Sequence, residues 1–345
     1  FWIIDDLTPL HQLNEYNHDD DAILFKSDLS YRMAQSGGWN RPNNLLSGQN
    51  HPNGVIINYY IKELQEDDYL RIDIENKDGS IIRSFTNNQD KYSQVGNNDK
   101  SIMVGNPVLS NPNDIDNALS SDNLESLSPK NGGNRLIWDM RYPGFKSFEG
   151  MVLYSSPNVG PKATPGMYNI KMTYNDLVFQ EEFEIVKDPR VKISQADYQD
   201  QLEFLIDVRD EVSKANQQII DIRRIKNNMS FILDKTKDNN ELQEMINKYL
   251  DDISVVENNI HMTKNQSRQD PLNFGIRINN RIAFLLADSQ RGDYPPTDQS
   301  KEFFSQVKKE LDIEVTNLKA IIEKHSQKIE EYLKKNKIEL ISLKD

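Results

Sequence analysis

The stretch GNRLIWDMRYPG at residues 133–144, together with PGMYNIKM at residues 165–172, decides the fold. In both stretches every second residue is large and apolar: Leu136, Trp138 and Met140 in the first, and Tyr168, Ile170 and Met172 in the second. This period of two is typical of strands that bury one face of a sheet. Pro165-Gly166 supplies a turn just before the second strand. The pair favours a small β-sandwich, a scaffold that more often binds or supports than catalyses.

The chain changes character near residues 188–190, because most glycines and prolines and all three tryptophans precede this point. Asn76-Lys77-Asp78-Gly79 predicts a hairpin turn, since Asp-Gly tolerates the positive φ that a tight turn requires. Residues 87–132 are dominated by Asn, Asp and Ser and predict a polar insertion. We therefore expect a β-sandwich over 52–188, with strands at 55–61, 69–74, 81–85, 134–141, 167–174 and 177–186.

From Ser194 onward the apolar residues recur at steps of three and four, which predicts amphipathic helices. Ser194 and Asp197 resemble a capping box at the start of the first helix, and Thr297 is suited to cap the last one. The expected helices cover 194 to about 235–238, about 240–262, roughly 273–287, and 297 to about 332. Short connections between them predict an antiparallel four-helix (up-down) bundle over 189–338, followed by a tail at 339–345.

Composition excludes several classes of function. The 345 residues carry a net charge of −13 and contain no cysteine. The negative charge argues against binding to nucleic acid, and the lack of cysteine excludes disulfides, thiolate zinc sites and cysteine nucleophiles. No apolar run reaches the ~20 residues of a membrane span. The chain begins at Phe1 with no recognisable signal peptide, so we expect a processed chain or a piece of a longer protein.

Residue types that could carry chemistry are present, but without the spacing that catalysis or metal binding requires. Acidic pairs are adjacent in sequence and so diverge in direction on a strand or helix; they are Asp5-Asp6, Asp67-Asp68, Glu181-Glu182 and Asp251-Asp252. His18 beside Asp19, Asp20 and Asp21 lacks the glycine-containing spacing of a calcium loop. No nucleophile elbow, phosphate loop or dinucleotide fingerprint occurs. We therefore predict no catalytic residue, metal site or cofactor.

Aromatic residues in predicted loops are the remaining candidates for ligand contact. Trp39 and Phe145 lie outside the strand patterns, and aromatic faces can stack on sugar rings. Trp138 instead belongs to the alternating apolar residues of a strand, which predicts that it lies in the core. The sequence therefore nominates Trp39 and Phe145 as glycan-contacting residues, while burial for packing is the alternative for both.

Several segments resemble one known group of proteins. These segments are NRLIWDMRYPG at 134–144, PGMY at 165–168, VKDPR at 186–190, NGVIINYY at 53–60 and WIIDDLTPL at 2–10. They are similar to the C-terminal part of large bacterial proteins with BNR or sortilin-type β-propellers, often labelled glycosyl hydrolases. The Trp138-Asp139 and 165–168 pair also resembles the Ig-like domain of the flagellar hook-capping protein.

The resemblance implies an Ig-like sandwich over 52–188 and a helical bundle, attached to an upstream propeller that residues 1–51 would leave as a linker. Any catalytic residues would lie in that propeller, so this segment alone is not expected to be an enzyme. The leading hypothesis is a non-catalytic interaction and support module of a bacterial envelope or secreted protein, which packs on the propeller and docks a protein partner. The alternative is an accessory region of a glycan-degrading enzyme. A secretion or gliding accessory role would differ only in the partner.

Overall fold

A computed structural model describes residues 7–16, 19–33, 52–87 and 124–338. The protein is mixed in structure, with about 45% helix and 21% strand, and its strands form two sheets. In the described ranges no helix is both long and apolar enough to cross a membrane. Ahead of the sheets lie a short helix, α1 (Thr8–Gln12), and one 3-10 turn (Leu13–Glu15).

The smaller sheet has three antiparallel strands in the order β1 (Ala22–Leu24), β3 (Val55–Ile61) and β7 (Gly132–Trp138). Alternate residues of β3 are buried, as the period of two predicts. Strand β7 ends at Trp138, earlier than the expected 141, because Met140 adopts a left-handed backbone conformation with φ 61.

The larger sheet has six strands in the order β2-β9-β8-β4-β5-β6. Its strands are β2 (Ser30–Arg32), β4 (Leu70–Asn76), β5 (Ile81–Thr86), β6 (Leu124–Ser126), β8 (Gly166–Tyr174) and β9 (Leu177–Lys187). The two edge pairings, β2 with β9 and β5 with β6, are parallel, and the others are antiparallel. The expected hairpin turn is present, with Gly79 at φ 85 and its N–H donating to the Asn76 carbonyl.

One apolar core is shared by both sheets. Trp138 is buried there and meets Tyr168 and Phe183 edge-on, with ring centroids 6.1 Å apart in each case. The core placement predicted for Trp138 is therefore confirmed. Two strands come from unexpected places: β1 and β2 lie within residues 1–51, which the sequence predicts as a linker, and β6 lies within the predicted insertion. Strands of three residues are too short to show a period of two.

The helical half contains α2 (Gln195–Lys235), α3 (Asn240–Ile260), α4 (Asp270–Phe274), α5 (Ile278–Ser289) and α6 (Asp298–Lys335). Ser194 and Asp197 form the predicted capping box of α2, and Thr297 caps α6. The helix expected over 273–287 is instead two helices, because Gly275 adopts φ 89 between them. Helices α2, α3, α5 and α6 all contribute to a second apolar core.

The residues between β7 and β8 attach the sheets to the helices. Phe145 and Phe148 lie in the helical core rather than the sheet core. The Lys146 N–H donates to Ser213 Oγ at 3.0 Å, and Asn280 and Tyr154 exchange two hydrogen bonds at 2.8 and 3.0 Å. This crossing segment is therefore anchored on α2 and α5 by both apolar and polar contacts.

A buried ion pair connects the sheets and the helices at a second place, and we call this region between the two halves the joint. The guanidinium of Arg32 on β2 pairs with Asp293, which lies in the turn between α5 and α6. The hydroxyl of Tyr198 on α2 donates to the same carboxylate at 3.1 Å, and the Arg32 guanidinium lies 4.8 Å from the centroid of the Tyr198 ring. Gln195 Nε2 also donates to the Pro165 carbonyl at 2.8 Å. These contacts hold the sheet half against the start of α2.

Candidate functional site

An open groove of about 300 Å³ lies on the helical half, where the end of α3, the start of α5 and the middle of α6 meet. We name it the α5–α6 groove, and it is lined by Asn259, Ile276, Arg277, Ile278, Arg281, Glu310, Ile313 and Glu314. Three separate helices and the residues just before α5 supply this lining, so the groove exists only when the helices are packed together.

Large apolar side chains are exposed in this groove and in the part of the chain just before it. Ile313 is 60% exposed and Ile276 is 43% exposed, and both line the groove itself. Leu272 and Phe274, just before Ile276 in the chain, are 58% and 45% exposed. Single exposed apolar residues are ordinary, but exposed isoleucines that line a concave surface are a feature of interaction sites.

Local sequence sets the bounds of α4, the helix that precedes Ile276. Helix α4 starts on Asp270, whose carboxylate accepts the N–H groups of Gln266 and Ser267 at 2.7 and 2.8 Å; these bonds lower the Asp270 pKa. Gly275 ends the helix, since its φ of 89 costs a glycine little, and its N–H donates to the Pro271 carbonyl. The chain therefore turns at Gly275, before α5 enters the core at Ile278.

The acidic side chains of the groove already have partners. Arg281 forms a two-pronged contact with Glu310, with N···O distances of 2.5 and 3.1 Å. Asn259 Nδ2 donates to Glu314 at 3.1 Å. The Glu310 charge is therefore balanced by Arg281, whereas the neutral Asn259 amide leaves the negative charge of Glu314 in the groove.

Arg277 differs from its neighbours in the groove. It is half-buried, and its Nε atom is fully buried without a hydrogen bond. Within the described part of the chain it has no ion-pair partner, and its side chain makes no capping bond at the start of α5. A guanidinium presents five N–H donors. The groove thus combines exposed apolar walls with one cation that has unused donors.

This arrangement suits a segment of another protein. An apolar side chain entering between Ile276 and Ile313 would be removed from water, and each buried methylene contributes about 0.8 kcal/mol. A carboxylate beside that side chain would satisfy the donors of Arg277 through charge-assisted hydrogen bonds.

The two aromatic candidates from the sequence do not lie in this groove. Phe145 is 0% exposed and packs in the helical core, so the structure corrects its assignment as a ligand-contacting residue. The crossing segment carries this ring into the helical core, where burying an aromatic face is favourable. Trp39 lies outside the described residues.

Two of the other sequence candidates have structural partners, whereas Asp5, Asp6 and His18 lie outside the described residues. Asp68 accepts the Tyr174 hydroxyl at 2.6 Å, and Asp252 pairs with His325 at 2.8 Å. Across the described ranges no group of three or more His, Cys, Asp or Glu side chains is placed to hold a metal ion. No family model, curated protein or solved structure matches the chain.

Sequence reasoning missed the groove, although one signal was available. The helix predicted over roughly 273–287 contains Gly275 near its start, between the apolar residues Phe274 and Ile276. A glycine at such a point can mark the end of a helix. Gly275 could therefore have indicated a break in the helix.

Proposed function

We propose that this chain is a non-catalytic interaction and support module that docks a protein partner in the α5–α6 groove. The observation that carries the proposal is the pairing of exposed Ile276 and Ile313 around a cavity that also holds the unpartnered Arg277. The partner is a protein segment that presents an apolar side chain next to a carboxylate. The apolar contact supplies affinity, and the charge pair supplies orientation and specificity.

Each half of the molecule has a proposed architecture that fits a support role. The sheet half is taken as an Ig-like sandwich, which is supported by two sheets with mostly antiparallel pairing around one core. The helical half is taken as an up-down four-helix bundle, which is supported by a single core shared by α2, α3, α5 and α6. The many contacts at the joint support a unit that holds the groove at a fixed position relative to the sheets.

The proposed setting is a larger bacterial β-propeller protein of the envelope or of the secreted fraction. Its support is the resemblance of residues 134–144, 165–168 and 186–190 to the region that follows such propellers. In this setting the sheet half packs on the propeller, and the helical half reaches the partner.

Site-specific photo-crosslinking in the source cells tests the docking proposal. A photoreactive phenylalanine analogue at position 313 is expected to crosslink to one partner protein. The same analogue at position 178 is the matched control, because Val178 is 57% exposed but lies on the sheet half. The partner, once identified and purified, is expected to bind the chain in solution, and Ile313→Asp and Arg277→Glu each weaken that binding by about tenfold or more.

Three results would contradict the proposal. Equal crosslinking from positions 313 and 178 would show that the partner does not bind specifically in the groove. If Val178→Asp weakened partner binding as much as Ile313→Asp, the groove would again not be the binding site. Turnover of a glycan by the purified chain would overturn the non-catalytic part.

A further inference from the structure

A second cavity, of about 450 Å³, lies at the joint between the sheets and the helices. Its size is that of a small-molecule site rather than of a single ion. We name it the joint cleft, and its charged lining residues are Arg32, Arg141, Lys162, Arg291, Asp139, Asp188 and Asp293. It is separate from the α5–α6 groove and shares no lining residue with it.

Arg141 and Lys162 occupy opposite positions in the cleft wall. Their backbones form an isolated antiparallel bridge, so their side chains leave the bridge on the same side. Arg141 Nη1 donates to the Gly160 carbonyl at 2.7 Å and to Gln290 Oε1 at 2.9 Å. Lys162 Nζ donates to the Met33 carbonyl at 2.7 Å. All three of these acceptors are uncharged.

Most other charges of the cleft are balanced. Arg32 pairs with Asp293, which also accepts the Tyr198 hydroxyl. The Asp188 carboxylate accepts three donors of Arg190, and these bonds lower its pKa to about 2. Arg291 pairs with Asp288 outside the cleft.

Asp139 therefore faces two cations, since it accepts the Arg141 backbone N–H at 3.0 Å and lies near the Arg141 and Lys162 side chains. Its single negative charge leaves an excess of one positive charge between Arg141 and Lys162. Both of these cations also retain N–H groups that have no acceptor in the described part of the chain.

The titration of Lys162 agrees with this excess of positive charge. Burial, followed by the nearby charges of Arg32 and Arg141, lowers the Lys162 pKa to about 8, against the opposing effect of Asp293 and Asp139. Burial also lowers the Arg141 pKa. A cation held beside other cations is stabilised when an anion arrives.

We propose that the joint cleft binds a small organic anion through a carboxylate or phosphate group held between Arg141 and Lys162. This site goes beyond the docking function and does not depend on it. The bound anion contacts Arg141 and Lys162, whose backbones lie in the sheet half, and Gln290 and Arg291, which follow α5. Occupancy therefore strengthens the attachment between the two halves, because a ligand that binds only the folded state stabilises it.

Nuclear magnetic resonance titration of the lysine ε-carbons tests the proposal with inorganic phosphate and citrate as probes. Either anion is expected to raise the Lys162 pKa from about 8 by about one unit or more. Calorimetry is expected to show that Lys162→Gln weakens binding by about tenfold or more. A larger rise of the Lys162 pKa with citrate than with phosphate assigns a carboxylate ligand. A larger rise with phosphate assigns a phosphate ligand.

Lys264→Gln is the matched control, because it removes one exposed lysine charge at a residue that does not line the cleft. Equal loss of binding in Lys264→Gln and Lys162→Gln would overturn the proposal, since it would indicate diffuse attraction. A Lys162 pKa that responds no more to phosphate or citrate than to chloride at the same ionic strength would also overturn it. The wild-type titration gives this answer even if Lys162→Gln does not fold.

Discussion

At the scale of single residues, the burial of His261 makes the stability of the fold depend on pH. The ring is buried in the helical half, 4.9 Å from the Phe148 centroid, and its Nδ1 lies 3.2 Å from Asn279 Nδ2. Burial, followed by the charge of Arg223, lowers the His261 pKa from 6.5 to about 4, while Asn279 and Glu257 oppose the shift. The ring is therefore neutral in the folded protein at pH 7.

We predict that acid destabilises the protein through His261. The unfolded chain takes up a proton below pH 6.5, whereas the folded chain does so only near pH 4. Stability is therefore lost as the pH falls from about 6.5 to about 4, by up to about 3 kcal/mol. Urea unfolding at several pH values measures this loss. His261→Gln should flatten the dependence in that window, and His11→Gln, at an exposed site, should not. Identical pH profiles for the two variants would contradict the prediction.

At the scale of elements, the helices begin and end where local chemistry dictates. Ser194 and Asp197 satisfy each other's backbone N–H groups at the start of α2, with distances of 3.0 and 3.2 Å. Because these contacts join residues three apart, the sequence alone predicted the start of α2 correctly. The break at Gly275 was missed, since an isolated glycine in an apolar pattern is also compatible with a continuous helix.

Loss of the cap should weaken the helical half. We predict that Ser194→Ala lowers the free energy of unfolding by about 1 kcal/mol, because the Asp197 N–H loses its acceptor. Asp197 should then show a higher pKa, since the Ser194 hydroxyl and N–H now lower it. Denaturant unfolding and carboxyl-carbon titration measure the two effects. Ser194→Thr retains a hydroxyl and should keep most of the stability; an equal loss in both variants would exclude the cap as the cause.

At the scale of the whole molecule, the two halves are joined by groups that are distant in sequence. Arg32 and Asp293 are separated by 261 positions, and the Arg32 side chain is almost completely buried. Phe145 and Phe148 belong by sequence to the sheet half but pack among the helices. The boundary that composition places near residues 188–190 is therefore crossed by both ionic and apolar contacts.

We predict that Asp293→Asn destabilises the protein by about 2 kcal/mol or more, because it leaves the buried Arg32 guanidinium without its counter-charge. Asp234→Asn is the matched control, since it breaks the exposed pair with Lys237 and should produce no measurable loss. Denaturant midpoints of the two variants give the comparison. Equal midpoints would show that the joint does not depend on this ion pair.

The sequence by itself determined the features that depend on neighbours a few positions apart. These are the long strands, the hairpin turn at Gly79, the cap at Ser194 and the apolar faces of α2, α3 and α6. The tertiary structure alone decided the strands β1 and β2, the burial of Phe145, the groove around Ile313 and the joint cleft around Lys162. Local patterns report periodicity, whereas these features arise from the packing of distant segments, whose free energy no short window of sequence contains.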